Sequence, residues 1–218
     1  IALAMHATLV RSGDRNILVD AGISEAADRL LDQLNILKIH PHDITDVVFT
    51  HLHYDHAGGA FRKTADGIVP LFPRATYHMT GQELSDALVP DERTRHFYRT
   101  EIASWISRTG NCHTVSEPAM LTDNVELLPA PGHTLGHLAV WVHEPVPALI
   151  PGDLIPTSHH LNVHYMTGFD ENTRLNIASK KKLLEQAAIR PTRVVFYHDP
   201  RTPAATVIRD GNRYRIAD

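Results

Sequence analysis

The sequence has almost no cysteine. Cys112 stands alone among 218 residues, which excludes an internal disulfide and a thiolate metal cage and leaves the thiol as a small buried or half-buried residue. It has no excess of positive charge either. Lys and Arg number 21 against 25 Asp and Glu, for a formal net charge of −4, so nothing favours a polyanion and nucleic acid is not an expected partner. The one dense basic run, Lys180-Lys181-Lys182, reads as a solvated helix face. No stretch of about eighteen apolar residues occurs, so no membrane span is expected. No signal peptide is visible, and the chain starts at Ile1 directly in a strand-like run. With 43% hydrophobic and 21% charged residues, the expectation is a soluble globular protein, and the default compartment is the cytoplasm.

What the sequence has in quantity is histidine, sixteen in all. Their placement depends on the element pattern. Residues 6–11 and 16–20 are apolar and β-branched around Ser12-Gly13-Asp14, which reads as a hairpin. Ser24 is the expected N-cap of a helix carrying Ala27, Leu30, Leu31, Leu34 and Leu37. Short strands follow at 47–49 and 75–78, with a loop between Gly59 and Pro73. Helices are expected over 80–88 and 91–107, strands at 125–128, 138–142 and 148–150, and a helix over 171–188 whose apolar set is Leu175, Ile177, Ala178, Leu183, Leu184 and Ala187. A buried strand at 194–197 and a hairpin about Asp210-Gly211-Asn212 complete the chain. Alternating helices and strands, some joined by tight turns, argue a mixed α/β layering in one domain.

The strongest signal is HLHYDH at residues 51–56, directly after the strand at 47–49. Alternate side chains of an extended segment share a side, so His51, His53 and Asp55 can point one way. If the chain turns into a helix at Asp55, His56 swings in beside them. Two imidazoles then serve one metal ion, and a carboxylate plus an imidazole serve a second. The specific set of His, His, Asp and His at these four positions arises by chance about 0.006 times in such a sequence. Three further segments follow strand ends in the same way: PGHTLGH at 131–137, PGDL at 151–154 and YHDP at 197–200.

These segments, in this order, resemble the motifs of the metallo-β-lactamase-fold hydrolases, and ILVDAG at 17–22 resembles that superfamily's early strand and Asp-x-Gly turn. The resemblance runs from about His6 to the end. It implies an α/β (α+β) fold, a four-layer αββα sandwich, as a single domain over residues 1–218 that opens a strand or two later than the family does. Carried over by position, it puts His51, His53 and His133 on a first metal ion, Asp55, His56 and His198 on a second, and Asp153 between the two. Imidazole and carboxylate ligands without thiolate suit zinc first, with iron, manganese or cobalt as alternatives. Asp20 reads equally as a support for a ligand imidazole or as a turn residue, and Asp199 equally as a support for His198 or a cap of the next turn. His137 is a candidate for orienting its loop. Tyr54, His159, His160 and Tyr165 are the candidate substrate-pocket residues. His164 lies in the same stretch as His159, His160 and Tyr165 and reads equally as a pocket or an exposed loop residue, while His6, His40, His42, His78, His96, His113 and His143 read as surface residues.

The function implied is that of a two-metal hydrolase in which a hydroxide shared by the ions cleaves a lactone or ester bond of a small molecule. Asp153 and Asp55 are the catalytic carboxylates, Asp55 passing the nucleophile's proton to the leaving group. Tyr54 between the second His and the Asp resembles the lactonase branch, and the helical insert after Thr80 resembles lactonase and organophosphate-hydrolase relatives. One departure stands out: Pro156 occupies the place of a substrate-contacting Tyr in the acyl-homoserine lactonases. Phosphotriesterase, glyoxalase II-like thioesterase and β-lactamase activities are the alternatives within the hydrolases. A mononuclear iron persulfide dioxygenase-like oxidoreductase and a non-catalytic metal-binding regulator are the alternatives from other classes. A homodimer is compatible with the sequence.

Overall fold

The computed structural model describes residues 2–217. They divide into two compact units, one of residues 7–116 and one of residues 117–217 joined by the segment leading up to His6.

The amino-terminal unit opens with the expected hairpin, β1 (Thr8–Ser12) against β2 (Arg15–Val19), in antiparallel register with Thr8 opposite Val19. Helix α1 (Ala27–Ile36) follows. Ser24 does not cap it. A 3-10 turn intervenes, and the Ser24 hydroxyl donates to the Gly58 carbonyl at 2.9 Å, spending its polar group on the motif segment. Strand β3 (Asp46–Val48) leads into the short helix α2 (Tyr54–Ala57). The stretch expected to be a loop forms a second hairpin, β4 (Phe61–Thr64) with β5 (Gly67–Pro70). Its charged and exposed faces carry no alternation for a sequence reading to detect.

Strand β6 (Thr76–Thr80), helix α3 (Gly81–Leu88), helix α4 (Thr100–Arg108) and strand β7 (Cys112–Val115) complete the unit. The Thr80 hydroxyl caps α3 by accepting from the Glu83 amide. The helix expected from residue 91 begins only at Thr100. Asp91 accepts hydrogen bonds from the Thr94 amide and hydroxyl, a local bonding pattern that competes with helix, and the residues after it bond to the HLHYDH segment. The sheet order is β1-β2-β3-β6-β7, with β2, β3, β6 and β7 mutually parallel. Parallel neighbours end at the same edge, so whatever follows β2 lies beside whatever follows β3. Phe49, Phe61, Tyr77 and Trp105 pack around one core, Phe49 and Tyr77 stacked at 6.1 Å between ring centres.

The carboxy-terminal unit is a seven-stranded sheet with one long helix. Strands β8 (Ala119–Met120), β9 (Val125–Pro129), β10 (Leu138–Val142) and β11 (Ala148–Ile150) run antiparallel in sequence. Helix α5 (Thr173–Ile189), capped by the Asn172 side chain, crosses to β12 (Thr192–Val195), which pairs parallel with β11. Strands β13 (Ala204–Asp210) and β14 (Arg213–Ile216) form the final hairpin. Leu183, Leu184 and Ala187 of α5 are buried as expected, but Leu175 and Ala178 are exposed. Stepping back four residues from Leu184 reaches Lys180 and then Asn176, and both are buried. The lysine run is therefore not wholly a solvated face.

Among the described residues no helix is long and apolar enough to cross a membrane. Cys112 is half-buried on β7, and burial pushes its thiol above the ordinary range.

At the start of β3 lies a buried carboxylate, Asp46, bonded by Arg15, by the Thr45 hydroxyl at 2.7 Å and by His78 Nε2 at 2.8 Å. His78 is thus a buried partner rather than a surface residue. Burial raises the Asp46 carboxyl, but His78, Arg15 and Thr45 outweigh it and hold the group at about 2. Because this lies below the unfolded value of about 4, the cluster stabilises the fold above pH 4 and loses that contribution as pH falls toward 2. Asp46→Asn is expected to cost about 2 kcal/mol at pH 7 and to flatten the loss of stability between pH 4 and 2. Urea unfolding at pH 7, 4 and 3 checks both.

Candidate metal centre

In the amino-terminal unit the donors follow β3. Asp20 follows β2, and parallel pairing places it beside Thr50. The Thr50 amide donates to Asp20 Oδ1 at 2.8 Å and its hydroxyl to Oδ2 at 2.7 Å. His56 Nδ1 donates to the same Oδ2 at 2.8 Å. Asp20 adopts φ +54, a left-handed conformation that Asp tolerates better than most residues. The Thr50 oxygen, having given its proton to Asp20, accepts from His51 Nδ1 at 3.1 Å. One carboxylate thus fixes two imidazoles, one directly and one through a hydroxyl. The chain turns into α2 at Tyr54, one residue before the expected Asp55, and the His51 ring centre lies 4.4 Å from that of His53 and 4.0 Å from that of His56. Asp55 Oδ2 stands 4.0 Å from His56 Nε2, with its carboxylate a quarter exposed.

Two glycines let this segment close against the β2 edge. A Cβ on Gly59 would stand 2.0 Å from the Ala21 carbonyl oxygen. The insert after β6 supports the segment from its other side. Glu83, fully buried, accepts from the Leu52 amide at 2.8 Å and from the Tyr98 hydroxyl at 3.1 Å. The Tyr54 amide donates to the Phe97 carbonyl at 2.7 Å, and His53 bridges to Tyr98. Tyr54 itself is 38% exposed, with the Arg99 guanidinium 4.8 Å over its ring.

In the carboxy-terminal unit His133, Asp153 and His198 leave the ends of β9, β11 and β12. His133 Nε2 lies 3.6 Å from Asp153 Oδ2, and His198 Nε2 lies 3.2 Å from Asp153 Oδ1. Each imidazole is again held from behind. His133 Nδ1 donates to Asp170 Oδ1 at 2.8 Å, and His198 Nδ1 donates to the Ala4 carbonyl at 2.8 Å. Asp170 carried no signal in the sequence, because no fixed spacing ties it to the His133 motif. The loop around His133 is docked on the start of α5. The Glu171 and Asn172 amides donate to the His133 and Gly132 carbonyls, and the Ser179 hydroxyl donates to the Pro131 carbonyl at 2.7 Å. Gly132 has φ +153, and a Cβ there would stand 2.3 Å from Asn176 Cα.

The weaker candidates separate. Asp20 supports a ligand-candidate imidazole. Asp199 caps the turn after it, accepting from the Arg201 and Thr202 amides, and also holds the Ser158 amide and hydroxyl. Burial opposes its charge, but the Ser158, Thr202 and Arg201 donors hold the carboxyl well below the usual range. His137 is fully buried, edge-on to His133 at 6.1 Å between ring centres. His159 and His160 lie on the turn Ser158–Leu161, the first exposed and the second half-buried with Nδ1 2.8 Å from the Thr157 hydroxyl. Burial and then the nearby Lys180 charge hold His160 down to about 4, so its ring is neutral at pH 7. Tyr165 is exposed, and Pro156 is buried with its carbonyl taking the His198 amide.

The donor set fits divalent metal ions. A carbonyl or carboxylate behind Nδ1 fixes the proton there and leaves Nε2 as a lone-pair donor, the arrangement that metal-binding histidines use. At His133 and His198 those lone pairs are aimed at the oxygens of Asp153. Acceptor against acceptor at such distances calls for a cation between them.

A profile of the metallo-beta-lactamase superfamily matches residues 3–198. The chain belongs to that superfamily. An N-acyl homoserine lactonase AttM from Rhizobium radiobacter is 29% identical over 180 residues, 78% of this chain and 64% of the relative, so the chain spans just under two thirds of that relative's length. An N-acyl homoserine lactonase from a Bacillus species is 26% identical over 88% of this chain and 79% of its own length. Among solved structures, a probable metal-dependent hydrolase from Staphylococcus aureus superposes with a TM-score of 0.86 at 22% identity, covering 99% of this chain and 83% of its own. The dizinc quorum-quenching lactonase AidC, solved with a product N-hexanoyl-L-homoserine, superposes at 0.84 with 23% identity, over 99% and 79%. These likenesses show the metallo-β-lactamase fold.

The tightest backbone approach in this superfamily member's His133 loop sets a test. Gly132→Ala must either move α5 or distort the loop, and a cost of about 3 kcal/mol lowers the melting temperature by about 10 °C. Thermal unfolding followed by circular dichroism measures it, and an unchanged melt would show that the close packing on Asn176 is not a constraint.

Proposed function

We propose that this superfamily member is a two-metal hydrolase acting on a lactone or ester bond of a small molecule, with an acyl lactone as the first substrate class to consider. The observation that carries the reading is the set of four imidazoles held through Nδ1, two in each unit. His51, His53 and His133 would hold one ion, Asp55, His56 and His198 the other, and Asp153 both. Two such ions, when bound, supply Lewis acidity for the substrate oxygen and lower the pKa of a shared water toward about 7. Zinc is the expected metal on ligand type.

The chain's own residues supply the rest. Asp20 and Asp170 raise the basicity of His56 and His133 and fix their ring planes. Asp55, a quarter exposed beside His56, takes the proton released as the attacking oxygen forms its new bond and returns it to the leaving oxygen. Tyr54, 38% exposed, offers an aromatic side chain from the residue before Asp55. His160, neutral at pH 7, offers a hydrogen bond without a charge, which suits an uncharged ester or lactone. The curated lactonase relatives, and Tyr54 itself, support an acyl lactone. Pro156, in place of a substrate-contacting Tyr, moves the polar contacts of the substrate to other residues such as His160 or Tyr165.

Initial rates of the zinc-loaded protein on an acyl lactone, a phosphotriester, a glutathione thioester, a cephalosporin and a phosphodiester test the substrate reading. The lactone is expected to react at least tenfold faster than the others. A lactone left inert while another substrate reacts replaces the substrate but keeps the metal centre. Metal removal by chelation is expected to abolish turnover and zinc to restore it. Asp153→Ala or His133→Ala should lose metal and activity together, and full activity in either would sink the assignment. Asp170→Ala should weaken zinc binding by about 10- to 100-fold, read by competition with a chromophoric chelator.

A further inference from the structure

Lys180 is 1% exposed, on the face of α5 that is otherwise apolar toward its end. Removing an ammonium from water costs several kcal/mol unless hydrogen bonds and opposite charge replace the water, so a lysine here needs a reason. Its Nζ donates to the Tyr165 carbonyl at 2.6 Å. Asp170 is the negative charge acting on it: burial pulls the ammonium down to about 8, and Asp170 pulls it back up. The group therefore stays mostly charged at pH 7. Asp170 Oδ2 accepts from the Thr167 amide at 2.8 Å while Oδ1 holds His133 Nδ1. The lysine, the loop carbonyl, the carboxylate and the imidazole all lie in the carboxy-terminal unit, and one cation stands behind them.

We infer that Lys180 is a positioning residue: its buried ammonium pins the loop of residues 157–170 at Tyr165 and balances Asp170, and so sets both the pocket residues His160 and Tyr165 and the imidazole of His133. The inference deepens the metal-hydrolase reading and rests on it. A flexible four-carbon stem suits the task, since the charge reaches from the helix to the irregular part of the loop beyond the 3-10 turn Ser158–Leu161. A methionine or leucine at this position packs the helix equally well but leaves the Tyr165 carbonyl without its donor and Asp170 without its counter-charge. The chain keeps a costly charge where a cheaper apolar residue would serve packing alone.

The test compares Lys180→Met, which keeps the volume, with Lys180→Arg, which keeps the charge. Three experiments are run on the full chain: zinc affinity by chelator competition, KM and kcat for the acyl lactone at saturating zinc, and amide exchange of residues 165–170 against β10. Lys180→Met is expected to bind zinc about tenfold more weakly and to raise KM about tenfold, with kcat changed less than threefold. Amides 165–170 lose protection while those of β10 keep theirs. Lys180→Arg recovers zinc affinity and KM to within about threefold. Zinc affinity, KM and loop exchange all unchanged in Lys180→Met would overturn the inference. So would an equal loss of protection in β10, which would make Lys180 a core residue and no more. If the unsubstituted chain binds no zinc, the metal-centre reading falls and this inference with it. If it binds two zinc ions and Lys180→Met binds them with the same affinity, KM and loop exchange, only the role of Lys180 falls.

Discussion

A ligand imidazole is useful only as the right tautomer, and for four of the five candidates that choice is made behind the ring. His56 and His133 are backed by carboxylates, His198 by a main-chain carbonyl and His51 by a hydroxyl that is itself turned by Asp20. A free imidazole distributes its proton between two nitrogens and rotates about two bonds. An acceptor fixed at Nδ1 ends both freedoms, and the desolvated Nε2 becomes a directed lone pair.

That dependence explains the unusual features of the chain. Asp20 accepts a left-handed φ because the end of β2 must turn its carboxylate toward Thr50 and His56 at once. Gly59 leaves room for the Ala21 carbonyl, and Gly132 leaves room for the first turn of α5. In the amino-terminal unit a fully buried Glu83 holds the Leu52 amide and the Tyr98 hydroxyl, so the helical insert is a buttress for the donor segment as well as an appendage. In the carboxy-terminal unit the first turns of α5 do the same for the His133 loop, and Lys180 extends that support outward to the loop bearing His160 and Tyr165.

The electrostatics follow one pattern in both units. Carboxylates are buried where several donors meet them, as at Asp20, Asp46 and Asp199, so the cost of removing charge from water is offset locally. Buried cations are scarce by comparison. Lys180 is conspicuous because the groups around it, the Tyr165 carbonyl and Asp170, belong to the site rather than to the packing core.

The metallo-β-lactamase fold, most of the strands and a candidate donor set were legible in the sequence alone, because ligand chemistry demands particular residue types at strand ends, and strands announce themselves by short apolar runs. The sequence also held the hint that Asp20 mattered, two residues before a turn glycine. Tertiary structure alone decided the supports. Asp170 lies 37 residues from His133 in sequence, Ala4 lies 194 from His198 and Glu83 lies 31 from Leu52. No local periodicity encodes such pairs, since they are created when parallel strands end at a common edge and a helix returns across its sheet. For the same reason the sequence misread residues 91–99 as helix, Ser24 as a cap, His78 as a surface residue and Lys180 as solvated. Ser24 and His78 have ordinary local propensities that were overruled by partners more than 30 residues away. Residues 91–99 were overruled by the Asp91–Thr94 bonds together with the pairing to Tyr54, and Lys180 by the Tyr165 carbonyl. Such bonds are worth more than the few tenths of a kcal/mol that propensity supplies.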